Sequence, residues 1–213
     1  MKSFFKALFW LALLLGVAFL IGWAFLFEAA TATDNSMAPN LIRGDSYLVY
    51  LHSKLAVGSP VLCADPRDET KRVAGRVVAT AGDKVSIMGG SLLINGHQTE
   101  HTVEGSYVLV DDRNTGAPQT VTLQDRIETI GMIRYHIIFP EGAYLARLRN
   151  ARETSVRDGS VYLMADNRAF GEDSRTYGQV KISSCIGRPL LVYKPAEVSG
   201  DAGSSSRWFS IIR

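Results

Sequence analysis

The 213-residue sequence is poor in cysteine, with only Cys63 and Cys185. Neither belongs to a C-x-x-C or His-linked spacing, so no zinc site is expected. Spacing alone leaves open whether they pair in an oxidising space; the expectation is two small, half-buried residues. Charge of one sign is lacking too. Lys and Arg number 23 against 21 Asp and Glu, which gives no polybasic signature and no argument for nucleic acid. There is no internal repeat, and no second apolar stretch of spanning length beyond the first, so one crossing of a membrane is expected. The length has room for one anchored domain, or one domain with a small subdomain.

What is there begins with an uncharged run rich in Leu, Phe and Ala, from Ala7 to Phe27. At about 1.5 Å per residue it spans roughly 32 Å, enough to cross a bilayer. Trp10 and Trp23 sit toward its two ends, where amphipathic rings favour the interface. Lys2 and Lys6 precede it and Glu28 and Asp34 follow, which places the N-terminus in the cytoplasm and residues 28–213 outside. Ala30-Thr31-Ala32 offers an A-x-A-like site, but the apolar core of a cleaved leader is about 7–15 residues, shorter than this one. A retained, single-pass anchor is therefore expected. The divisions that follow are a cytoplasmic 1–6, an anchor 7–27, an extracytoplasmic domain 28–198 and a tail 199–213.

Beyond the anchor the pattern is of short strands at close spacing. Asp45–Leu51, Val61–Ala64, Arg76–Ala79, Val85–Ile87, Ser91–Ile94, Tyr107–Val110, Thr120–Leu123, Ile133–Phe139, Ser160–Met164 and Leu190–Tyr193 carry the β-branched and aromatic content of strands. Gly89-Gly90 and Asn95-Gly96 are hairpin signals. The fold expected is mainly β, a barrel or sandwich after one N-terminal helix. Ser199–Ser206 is Gly/Ser-rich and reads as a flexible linker. The last residues, Arg207–Arg213, form an apolar-aromatic patch that either docks on the domain or rests on the membrane interface.

Three stretches carry chemistry. The first is Asp34-Asn35-Ser36-Met37-Ala38-Pro39-Asn40-Leu41, close behind the anchor. The second is Gly75-Arg76-Val77-Val78-Ala79-Thr80-Ala81-Gly82-Asp83-Lys84-Val85, with Leu93-Ile94-Asn95-Gly96 after it. The third runs from Met164 to Gly178 and holds Asp166-Asn167-Arg168 and Asp173-Ser174-Arg175. In this order they resemble the boxes of the type I signal peptidases, membrane-anchored proteases that trim exported preproteins. The first box resembles the family's Ser-Met-x-Pro-x-Leu, the second its Lys-Arg-x-x-Gly-x-Pro-Gly-Asp, the third its Gly-Asp-Asn-Arg…Ser-x-Asp-Ser-Arg-x-x-Gly.

The resemblance implies a signal-peptidase-like β domain with Ser36 as nucleophile and exported preproteins as peptide partners. It implies a place in the plasma (inner) membrane, hence contact with the lipid bilayer, and no metal or organic cofactor. A serine hydroxyl needs a base, and the family uses a lysine with a pKa lowered by burial. In the ungapped match that position is Gly75, and the family serine that holds the lysine falls on Gly171. Lys71 fits the lysine position if Arg76–Ala79 count as an insertion, and is the best base on offer. Unless the strand bulges, it lies roughly 13 Å further along than Gly75, beyond a lysine's reach of about 6 Å. The Ser36 N–H is the expected oxyanion donor, and a carboxylate at Asp34 would oppose it. Met37 is expected to pack near the substrate or lipid, and Pro39 to fix the turn. Asp166, Asn167, Arg168, Asp173, Ser174 and Arg175 are expected to support it, their ion pairs holding the third box against the first. His52, His97, His101 and His136 match no catalytic position. Two functions follow: a serine endopeptidase that removes signal peptides, or a degenerate homologue that binds exported or surface proteins and assists their assembly.

Overall fold

In a computed structural model, residues 2–111, 119–196 and 207–212 are described. The flexible-linker reading of Ser199–Ser206 lies outside them. The apolar run forms helix α1, Lys2–Leu26, whose apolar window is not buried against the rest of the molecule. Among the described residues it is the one helix long and apolar enough to cross a membrane. Strand β1, Phe27–Thr31, follows the helix without a linker. The junction is clipped, since Leu51 N–H donates to Leu26 O at 3.0 Å and the Phe25 ring lies 4.8 Å from the His52 ring.

The remaining strands are β2 (Ser46–Tyr50), β3 (Pro60–Asp65), β4 (Asp68–Thr80), β5 (Lys84–Met88), β6 (Ser91–Ile94), β7 (His97–Gln98), β8 (Glu100–Asp111), β9 (Gln119–Ile130), β10 (Ile133–Phe139), β11 (Ala151–Ser155), β12 (Ser160–Met164), β13 (Val180–Lys181), β14 (Cys185–Lys194) and β15 (Ser210–Ile211). One four-residue helix, α2, covers Ser174–Tyr177. The principal sheet has the order β1-β2-β14-β3-β4-β12-β13, with β15 also on β14. Beside it stand the sheets β10-β9-β8 and β11-β5-β6-β7. The fold is mainly β as expected, but the sheets do not close into a barrel. From β1 to β4 the principal sheet curls until Glu28 on the first strand meets Arg72 on the fifth in an ion pair, and a gap remains between them.

Apolar alternation places the core. Ala32, Met37, Leu41, Tyr47, Val49, Leu62, Val192 and Ile212 pack under the Ser36 loop. Ala38, Ile42, Leu109, Leu123, Ile138 and Ala169 join that loop to the three-stranded sheet. Cys63 and Cys185, opposite each other on β3 and β14, form a disulfide, the pairing that spacing alone leaves open. Sheet register, invisible in the spacing, is what brings them face to face. The C-terminal patch docks on the domain: Ser210 and Ile211 pair with Val192 and Leu191, and Ile212 is buried.

Candidate functional site

Ser36 sits in the turn that follows β1 and is 6 % exposed. The turn is tied locally: Ala38 N–H donates to Asn35 O at 3.2 Å, Leu41 N–H to Met37 O at 2.9 Å, and Arg43 N–H to Asn35 Oδ1 at 2.9 Å. The Ala38–Pro39 peptide is cis, and Met37 is buried against the core.

The third box lies across this turn. Asn167 makes the join, donating N–H to Ser36 O at 2.9 Å and Nδ2 to Asn35 O at 3.0 Å. Asp166, buried, accepts Asn40 Nδ2 at 2.8 Å and a fork from Arg76 at 2.8 and 2.6 Å. Arg168 pairs instead with buried Glu128 on β9. Asp173 takes the Arg175 guanidinium and the Ala165 N–H, and Ser174 Oγ accepts Leu163 N–H at 2.9 Å. The ion pairs thus brace the third box against β4, β9 and itself. Contact with the serine turn runs through amides, because a side-chain amide can satisfy a turn's carbonyls without burying a net charge.

Gly171 acquires a physical reason. A Cβ there would overlap that of Ala165 and lie 2.6 Å from Asn167 O and 3.2 Å from Ser36 O. Only glycine lets the backbone pass so close, and the passage brings Glu172 N–H to Ser36 Oγ at 3.2 Å. Gly75 is crowded too, since its Cβ would stand 3.0 Å from that of Leu163. Ser36 N–H, the expected oxyanion donor, is already spent on Asp34 Oδ1 at 2.7 Å. A serine N–H followed by a turn is well placed for the side chain two residues back, so the occupation is local in origin.

Lys71 points into solvent with its side chain 73 % exposed, its ammonium 3.1 Å from Asp68 Oδ2. An ammonium has three donors and no acceptor, and the burial that equips a lysine as a base is missing here. Ser36, Asp34 and Lys71 nevertheless line one cleft of about 940 Å³. Its walls are Ala29–Thr31 of β1 with Ala32 just after it, and Thr70–Ala74 of β4, with Met37, Leu41, Tyr47, Leu62 and Phe170 beneath and around them. Strand β1 is the sheet's edge, and β4 is joined by β12 only from Arg76 onward. Among the described residues, two unpaired strand edges therefore border the cleft. At its rim Arg67 links Asp65 and Glu172. The hydrogen bonds from Arg67 hold the Asp65 carboxyl below its ordinary value, overcoming the upward push of burial.

None of the four histidines lines the cleft: His136 pairs with Asp125 at 2.9 Å, His101 faces Glu128, His52 lies by Phe25, and His97 is exposed on β7. Sequence reasoning missed Glu172 and the Glu28–Arg72 pair. A backbone donor has no side-chain signature, and an ion pair between strands 44 positions apart depends on the curl of the sheet. Among the described residues no cluster of His, Cys, Asp and Glu could hold a metal.

With this arrangement in view, the comparison with known families is decisive: the signal peptidase family, peptidase S26, matches over residues 1–194. The chain belongs to that family. A crystal structure of a signal peptidase I from Enterococcus faecalis V583 is similar at 20 % identity over 64 % of this chain and 97 % of that chain, with a TM-score of 0.36. Among curated proteins no significant match is found. The family match supports, at family level, signal peptide removal and peptide substrates in preproteins.

Proposed function

We propose that the protein is anchored by α1 in the plasma (inner) membrane with its β domain outside, and that it receives extended segments of exported preproteins in the cleft at Ser36. The lysines at positions 2 and 6 support this orientation. The two unpaired edges of β1 and β4 offer main-chain groups to an added strand. In this reading the site binds preproteins without rapid hydrolysis, as a degenerate homologue that helps exported or surface proteins assemble. One observation carries it: the Ser36 backbone N–H, which hydrolysis needs for the oxyanion, is held by the Asp34 carboxylate.

The endopeptidase reading keeps one observation in its favour, that Lys71 lines the same cleft as Ser36. There Lys71 would have to leave Asp68, lose its proton under a bound peptide, and take the Ser36 proton as Oγ attacked the scissile carbonyl. Asp34 would have to vacate the Ser36 N–H for the oxyanion. In support of the binding reading, a photo-crosslinker placed at Ala30 or Val73 is expected to capture a preprotein with an Ala-x-Ala site, intact. Capture of no exported protein at either position would overturn both readings.

A further inference from the structure

Residues 207–212 lie beyond the stretch that matches the signal peptidase family, yet they reach the loop that carries Ser36. Asp45, fully buried, ends that loop. Its Oδ2 accepts Ile42 N–H at 2.8 Å and Arg207 Nη2 at 2.6 Å, and its Oδ1 accepts Ala196 N–H at 2.9 Å. Arg207 is the one cation that meets this carboxylate among the described residues. A buried carboxylate stripped of its cation is a strongly unfavourable charge. Next to Ile42, Arg43 gives its N–H to Asn35 Oδ1, the residue beside Ser36. Five positions on from Arg207, Ile212 is 1 % exposed, donates its N–H to Leu190 O at 2.7 Å and shares a core cluster with Met37 and Leu41. The same short segment therefore grips the loop at both ends, by charge at Asp45 and by packing under Met37.

We propose that the C-terminal strand is a clasp for the peptide-receiving loop, with Arg207 and Ile212 as positioning residues that act through Asp45 and Met37. Removal of the clasp frees residues 34–45 while the sheet beneath them stays folded, because the sheet's own ladders, β3·β4 and β4·β12, do not involve it. The consequence for ligand binding rests on the preprotein reading; the consequence for loop motion does not.

The test is amide hydrogen exchange on the full-length protein in detergent, wild type against Arg207→Ala, Arg207→Lys and Ile212→Ala, alongside affinity for an Ala-x-Ala preprotein. Arg207→Ala and Ile212→Ala are expected to raise exchange at residues 34–45 by tenfold or more, with Val77–Ala79 and Leu163 unchanged, and to weaken preprotein binding by about tenfold. Arg207→Lys, which keeps the cation, restores part of both. Unchanged exchange in the loop, or an equal rise in loop and core, overturns the clasp. A wild type that binds no preprotein while the exchange pattern holds defeats the functional reading and leaves the clasp standing.

Discussion

At Ser36 one hydrogen bond competes with chemistry. The Asp34 carboxylate holds the N–H that a bound carbonyl would seek, and hydrogen bonds to charged groups contribute about 1.5–3 kcal/mol. Asp34→Ala is expected to tighten preprotein binding up to about tenfold, as measured by titration against a labelled preprotein. No change would mean that the peptide's carbonyl does not visit that N–H. Gly171 makes the opposite case. Its Cβ shell is filled by Ala165, Asn167 and Ser36, so Gly171→Ala should cost about 1–3 kcal/mol, readable as a lowered melting temperature. Residue order alone pointed to the contact between the first and third boxes, where Asn167 meets Ser36 and Asp166 meets Asn40. What could not be read is where Lys71 points, since exposure and pairing with Asp68 are settled by a hairpin's path and not by the motif. Asp34 was legible as a hazard to the oxyanion site but not as its occupant.

Among the elements, β8 to β10 bury a polar cluster that should respond to pH. Glu128 on β9 accepts Tyr135 OH and Arg168, with Thr99 Oγ1 at 2.9 Å and His101 at 3.7 Å. Burial pushes the His101 imidazole below 6.5, against the pull of Glu128 and with the repulsion of Arg168 and Arg126. Below pH 6.5 the unfolded chain takes up a proton that the folded one refuses, so stability is lost as pH falls. The melting temperature should therefore drop between pH 7 and 5.5, and His101→Phe should flatten that dependence; an unchanged slope would remove His101 from the account. Strand β5, with its alternation, and β6 and β12, short apolar runs bounded by turn signals, stood out in the sequence. The strand β1 did not, because Phe27 reads as the end of the uncharged run and Glu28–Thr31 has little β-branched or aromatic content, and β11 did not, because Ala151–Ser155 is charged and mostly exposed.

For the molecule as a whole, the disulfide and the proposed outward orientation of the domain make one joint prediction. Cys63 and Cys185 close a separation of 122 positions, and a cross-link of that length stabilises by about 2–5 kcal/mol. A domain outside the cytoplasm keeps it oxidised. Protein taken from cells under alkylating conditions should carry neither cysteine modified until reduced, and reduction should lower its melting temperature; two freely alkylated thiols would contradict the outward orientation. The mainly β architecture was legible from strand spacing and turn signals. The curl that leaves a gap between β1 and β4 was not, since closure depends on register between strands far apart in sequence. That gap is where the central claim is decided. The most direct measurement is incubation of the detergent-solubilised protein, Ser36→Ala and Lys71→Ala with an Ala-x-Ala preprotein, following binding and cleavage together. The account predicts a bound, intact preprotein and no effect of Lys71→Ala; cleavage that both substitutions abolish would contradict it and restore Ser36 and Lys71 as a working pair.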